Sequence, residues 1–226
     1  MQTLFALEGV YRGNVQQQFG MRTAMGKSRI EEPLFLSAVG LEGDECAETR
    51  FHGGEERALH QYPAEHYLHW QTRFGIQTWQ APGMGENIST LGMLETTVCI
   101  GDVYQWGEAV IQISQPRSPC YKLDKRWQVE GFAQRMQDSA RCGWLYRVLT
   151  PGFVSVHEPL VLIERPANAV TVKETSDIFF VDPLNPQGLE RLAMQTALSE
   201  SWRGKVLQRI ETGVVENWQH RLTGKS

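Results

Sequence analysis

The fold turns on the stretch VIQISQPRSPCYKL, residues 110–123. Ile111 and Ile113 fall on one side of an extended chain and Gln112 and Ser114 on the other, which is the period of a half-buried strand. The strand must end at Gln115-Pro116, because proline has no N–H to give to a central ladder. Pro119 then stiffens a loop that carries Arg117, Ser118 and Cys120. Pre-organised loops at the ends of rigid elements are where proteins often place their chemistry.

Working outward, the rest of the first three quarters reads as short strands separated by turns. Residues 3–11, 34–39, 58–62, 98–106, 145–149, 153–156 and 160–164 are apolar or alternating, the 98–106 run being broken at Gly101-Asp102. Residues 12–28 show little periodicity and read as a loop. Two helices interrupt the strands. One begins at Pro63, where a missing N–H costs nothing, and runs to Thr72; the other spans 130–141, with Phe132 and Met136 four apart and Gly143 as its stop. Many short strands with helices in their connections predict a mainly β, α+β fold, barrel or sandwich. Beyond Arg165-Pro166 only helical patterns remain: 171–180, 188–197, and a helix capped by Ser199 with Trp202, Val206, Leu207 and Ile210 on one face. The expected domains are therefore residues 1–166, a β domain, and 167–226, a small all-α unit too short for an independent core.

Composition narrows the function. The 226 residues are 41% apolar, enough for a proper core, and the net charge is −4 with no basic block. Attraction to nucleic acid or to an anionic membrane is not indicated. The N-terminal residues lack the pattern of a signal peptide, and no run reaches the roughly 18 apolar residues of a membrane span, so a cytoplasmic location is expected. The four cysteines form no C-x-x-C pair, and nucleotide-binding glycine fingerprints are missing.

The densest candidate site is the Cys120 loop. Arg117 and Lys122 flank Cys120, and positive neighbours favour a thiolate, which is both a soft metal ligand and a nucleophile. An inert buried cysteine is the competing reading. A second cluster comprises Gly43-Asp44, His52-Gly53-Gly54 and Arg57, where Asp44 or His52 could move a proton and Arg57 could bind phosphate. A third, Gly85-Glu86-Asn87, could present an amide to a polar ligand. His60, His66 and His69 lie close in sequence, but no full zinc ligand set accompanies them.

Taken in order, GLEGDE (40–45), HGG with Arg57 (52–57), YPAEHY (62–67), GENIST (85–90), IGDVYQWG (100–107), SQPRSPCYKL (114–123) and GWLYRVLTPG (143–152) resemble the MOSC domain family, most closely its bacterial YiiM-type branch. The helical tail is similar to the three-helix domain that follows MOSC in that branch. The resemblance implies a β-barrel-like fold holding the molybdenum–molybdopterin cofactor, with Cys120 as the protein ligand to the metal. It implies Lys27, Arg57 and Arg117 as phosphate anchors, His52, Asn87 and Ser118 as pterin contacts, and Asp44 as proton relay. It further implies reduction of N-hydroxylated compounds, such as the purine base 6-hydroxylaminopurine, to amines. Electrons would come from a separate flavoprotein reductase, since no flavin, haem or iron–sulfur motif is visible. A homodimer fits the helical tail. Three other readings stay open: a carrier or sulfur-handling protein for the same cofactor, a metal-free thiol enzyme, and an interaction module using Trp202 and Trp218.

Overall fold

The computed structural model describes residues 3–49 and 52–224. Its strands in chain order are β1 (Leu4–Phe5), β2 (Leu7–Arg12), β3 (Gln16–Gln18), β4 (Met21–Thr23), β5 (Ser28–Ile30), β6 (Leu34–Ser37), β7 (Gly40–Leu41), β8 (Leu59–Pro63), β9 (Ile88–Thr90), β10 (Val103–Trp106), β11 (Ala109–Pro116), β12 (Trp144–Thr150), β13 (Gly152–Val154) and β14 (Leu160–Glu164). The helices are α1 (Glu65–Phe74), α2 (Lys122–Trp127), α3 (Phe132–Ser139), α4 (Val172–Ser176), α5 (Pro186–Ala193), α6 (Glu200–Thr212) and α7 (Gln219–Thr223). The fold is the expected sheet-rich one with a helical C-terminal region.

Nine strands form one sheet in the order β1-β14-β10-β11-β12-β8-β9-β2-β5. Only the β8–β9 pair in it is parallel. The segment read as one strand over 3–11 divides at Ala6: β1 pairs with β14, whereas β2 pairs with β9 and β5. A single residue thus joins strands at opposite ends of the order, so the sheet must curl until its ends meet. This is barrel-like, but among the described residues no ladder joins the two edge strands, and the barrel is not closed. A three-stranded sheet, β13-β6-β7, and the β3-β4 hairpin lie outside it. The hairpin turns at Phe19-Gly20, both at positive φ, in the stretch read as a loop.

Strand β11 is central, paired with β10 on one side and β12 on the other. Ile111 and Ile113 are fully buried, as their alternation requires. They join one core with Trp106, Trp144, Tyr146 and Leu36, and that core continues into the helical region through Val172, Phe179, Leu192, Trp202 and Val206. Backbone bonds stitch the same junction: Ile100 N–H to Val170 O at 2.9 Å and Ser199 N–H to Ser114 O at 2.9 Å. Hydrophobic burial therefore runs across residue 166 without a break.

Some local expectations change for physical reasons. Pro63 ends strand β8, opposite Thr90, and helix α1 starts two residues later. Ser199 caps α6 as expected, accepting from the Trp202 N–H. The buried face of α6, however, is Trp202, Val206 and Arg209, while Leu207 and Ile210 are each 47% exposed. Arg209 takes the inner position because its guanidinium stacks 3.7 Å over the Phe179 ring and pairs with Glu216. Trp202 is buried against Phe179 at 4.0 Å, so it is not available as a docking aromatic. No described helix is long and apolar enough to cross a membrane.

A shared core unfolds as a unit. Urea denaturation is expected to give one transition by both tryptophan fluorescence and far-ultraviolet circular dichroism. Trp202→Ala is expected to destabilise it by about 3–5 kcal/mol. Two separable transitions, one of them insensitive to Trp202→Ala, would contradict the continuous core.

Candidate functional site

The reactive loop begins where β11 ends. Pro116 lies opposite Trp144, and the Arg117 N–H donates to the Gly143 carbonyl at 3.1 Å. Gly143 is at φ 69°, and a side chain there would run into the Gln61 carbonyl of β8, so only glycine lets the strands approach this closely. A buried pair fixes the same point: the Gly143 N–H donates to Glu95 Oε1 at 2.8 Å, and Glu95 Oε2 pairs with His66 Nε2 at 2.7 Å. Strand ladder, glycine and buried pair together set the path from which the Cys120 loop departs.

Cys120 sits at the end of that loop, 7% exposed, just before α2. Three residues on, Leu123 of α2 packs in a second apolar cluster with Tyr62, Trp70, Trp79, Phe132 and Cys142. Arg117, three residues before Cys120 in the same loop, has an unusual feature. Its Nη1 is buried and has no hydrogen-bond partner among the described residues, and Gln115 Oε1, two residues earlier, is likewise buried without one. Buried polar groups are normally satisfied, and an orphaned cation is costly. The arrangement calls for an acceptor that the described residues do not supply.

Further positive charges surround this point. The charges of Arg117 and Lys27 are both felt at His60, and those of Arg117, Lys122 and Arg57 at His52. Arg221, from the far C-terminal helix, lies within electrostatic reach of Cys120, Cys142 and Arg117; burial pushes its pKa down to about 10, so it stays cationic at neutral pH. Against Lys27, Arg57, Arg117, Lys122 and Arg221 stand Asp44, Glu48, Glu95 and Glu216. In a chain whose net charge is −4, this is a local excess of cations, suited to an anionic ligand.

The individual side chains divide by what they already hold. Lys27 and Asp44 form an ion pair that is almost wholly buried. Asp44 also accepts from the Gly13 N–H at 2.8 Å and from Asn87 Nδ2 at 2.7 Å. Asn87 is a node between strands: its Oδ1 accepts from the His60 N–H at 3.1 Å and its Nδ2 also donates to the Tyr11 carbonyl at 3.2 Å. Arg57 donates to the Gly53 carbonyl at 3.1 Å, and Ser118 is half-buried in the loop. Lys122, two residues after Cys120, pairs with Glu48 at 2.9 Å, which holds the Glu48 carboxyl below its usual range. So the structure brings Lys27, Asp44 and Asn87 into one hydrogen-bonded cluster, and Arg117 with His52, Arg57 and Arg221 into one electrostatic neighbourhood.

The histidines separate. His66 pairs with Glu95, His60 is buried with Nε2 3.4 Å from the Cys142 carbonyl, and His69 is exposed on α1. Among the described residues no three His, Cys, Asp or Glu side chains converge as a metal site. Two shallow depressions of about 490 and 460 Å³ lie along α1 and beside Tyr11, Tyr67 and Trp79; neither is lined by Cys120. Sequence reasoning missed Arg221, Glu95 and Glu48, which lie outside the motif containing Cys120. Glu86, which in sequence is part of the third cluster with no role of its own, is fully buried and accepts from the Tyr67 hydroxyl at 2.5 Å and the Met84 N–H at 2.9 Å.

The MOSC domain family matches residues 48–161, and the YiiM-like 3-alpha helix domain matches residues 170–213. Protein YiiM of Escherichia coli is 44% identical over 219 residues, covering 96% of this chain and 97% of that one. The crystal structure of YiiM from Escherichia coli superposes with a TM-score of 0.85 at 39% identity, covering 97% of this chain and 98% of that one. A Gibberella moniliformis protein named "Reductase" is 38% identical over 147 residues, which is 64% of this chain and 26% of its own length.

Two groups here, exposed His52 and fully buried Glu86, are shifted toward an inverted order. Desolvation of the ring, then the charges of Arg117 and Lys122, push His52 from 6.5 down to about 4, although the residue is exposed at the surface. Burial pushes Glu86 from 4.5 up to about 7. The stability due to a neutral His52 is present above pH 6.5 and is lost as pH falls through about 4. That due to a protonated Glu86 is present below pH 4.5 and is lost as pH rises through about 7. NMR titration is expected to find the histidine midpoint below the glutamate midpoint; the ordinary order would contradict this picture.

Proposed function

The chain belongs to the MOSC family, with the YiiM-like helical domain at its C-terminal end, and on that premise we propose that it is a molybdenum-cofactor-dependent reductase of N-hydroxylated compounds. The observation that carries the reading is Arg117 Nη1, one buried guanidinium nitrogen without an acceptor among the described residues, in the same loop as the buried thiol of Cys120. The cofactor offers what these residues lack: a phosphate to accept from a guanidinium and a metal that takes a soft sulfur donor. The residues present fit it. Cys120 would hold the molybdenum, Arg117 the phosphate, and Arg57, His52 and Ser118 the rim of the pterin. When bound, the group supplies two-electron oxygen-atom chemistry.

The chain's own contribution is binding, orientation and proton handling. The reaction R–NHOH + 2 e⁻ + 2 H⁺ → R–NH₂ + H₂O needs protons as well as electrons. Asp44 already accepts from Lys27, the Gly13 N–H and Asn87, so its first role is to orient Lys27. A proton exchanged across the Lys27–Asp44 contact is the route by which Asp44 would act as relay. The electrons come from a separate flavoprotein reductase, and the substrate class is N-hydroxylated bases such as 6-hydroxylaminopurine. The relative named "Reductase" supports the redox class.

The test is molybdenum and pterin content of protein produced with ample molybdate, together with reduction of an N-hydroxylated purine by dithionite and a viologen dye. Wild-type protein is expected to carry both components and turn over, and Cys120→Ala to lose molybdenum and activity. Arg117→Met is expected to weaken retention by about 10- to 100-fold, the worth of one charged hydrogen bond of about 1.5–3 kcal/mol. Cofactor without turnover would instead mark a carrier, and cysteine-dependent turnover in metal-free protein would mark a thiol enzyme.

A further inference from the structure

The matched helical domain stops at residue 213, yet the chain continues back to the Cys120 loop. After α6 ends at Gly213, Glu216 accepts from Arg209 Nη2 at 2.9 Å and Nε at 3.0 Å. Arg209, 2% exposed, also donates to the Phe179 carbonyl at 2.8 Å. Phe179 and Phe180 lie in a wide turn, Asp177–Val181, in which the Asp182 N–H reaches back five residues to Asp177. Phe180 then meets the ring of Trp218 at 5.3 Å and the guanidinium of Arg221 at 5.5 Å. The segment after 213 is thus anchored at its start and its middle.

Its far end grips the loop. The Tyr121 N–H, next to Cys120, donates to the Arg221 carbonyl at 2.9 Å. The Arg221 side chain donates to the Pro119 carbonyl, on the other side of Cys120, and to Gln137 Oε1 of α3 at 2.6 Å. Gly224 lies so close to Tyr121 that a Cβ there would come within 2.9 Å of the ring. Both peptide units flanking Cys120 are therefore bonded to one residue 102 positions from Pro119.

We propose that residues 214–224 form a strap over the Cys120 loop and that Arg221 is its positioning residue, holding the thiol in place and adding positive charge beside it. Its value for the molybdenum cofactor rests on the function proposed above; the grip on the loop does not. The two bonds to Pro119 and Tyr121 fix the loop on either side of the sulfur, so the donor is pre-set before a ligand arrives. The fixed positive charge offsets negative charge gathered at the sulfur and its ligand. Through Arg209 and Glu216, the helical region is coupled to the loop by a continuous set of bonds.

The test uses the full chain in cofactor-free form, with Arg221→Met, Arg221→Lys and Glu216→Gln beside wild type. Amide exchange of Tyr121 and the rate at which iodoacetamide modifies Cys120 are followed by mass spectrometry. Arg221→Met is expected to abolish Tyr121 protection and to raise the Cys120 rate by about tenfold or more. Arg221→Lys, which keeps the charge but not the forked pair of bonds, is expected to fall between it and wild type. Glu216→Gln releases the strap without touching the loop and is expected to raise the Cys120 rate as well. It decides the matter should Arg221→Met fail to fold. Unchanged exchange and modification in a folded Arg221→Met, or in Glu216→Gln, overturns the strap. In loaded protein, Arg221→Met is expected to shorten molybdenum retention on dialysis about tenfold. A wild type that carries no molybdenum defeats the cofactor reading and leaves the cofactor-free result standing.

Discussion

Arg117 is a positive charge held where the described residues give one of its nitrogens nothing to bond, and the site follows from keeping it there. A guanidinium nitrogen buried without a partner costs free energy that folding must offset elsewhere. The offset is visible in what surrounds it. Strand β11 is locked between two neighbours, Gly143 permits the close approach of β8, and the His66–Glu95 pair fixes the Gly143 amide that faces the loop. The core carries the strain and the loop keeps the unsatisfied group, as expected where structure is maintained for a ligand.

The rest of the site reads as two shells about that charge. Lys27, Asp44 and Asn87 are bonded to one another and to strands β2 and β8, so they form a rigid wall. Arg57, His52 and the Lys122–Glu48 pair occupy the more open side. Loss of water around their rings, and then the nearby cations, push His52 and His60 toward the neutral form, and the excess of cations suits the neighbourhood to a negatively charged guest. The helical region contributes through its end, where Arg221 closes over the thiol.

How much of this was legible depends on how local the cause is. The alternation of Ile111 and Ile113, and the prolines that stop it, are local, and they placed β11 and its loop correctly. Ser199 as a cap is equally local. Pro63 misled because its partner, Thr90 of β9, decides its strand position from 27 residues away. The face of α6 misled because a hydrophobic stripe was sought, whereas Arg209 is buried by stacking on Phe179 and pairing with Glu216. Lys122 reads in sequence only as a charge near the thiol; its ion-pair partner Glu48 comes from a distant loop and leaves no local signal. The barrel-like curl was expected; that it lacks a closing ladder follows from where Ala6 divides the first strand, which no periodicity marks. Arg221 had no signal at all, since a five-residue helix near the C-terminus acquires meaning only through the Pro119 and Tyr121 groups it meets.

The central claim is that Cys120 sulfur binds molybdenum in this site. X-ray absorption at the molybdenum edge, on molybdenum-loaded wild type and Cys120→Ser, measures that directly. The account predicts one sulfur neighbour fewer at the metal in the variant. An unchanged sulfur count, with molybdenum retained equally by both proteins, would contradict it.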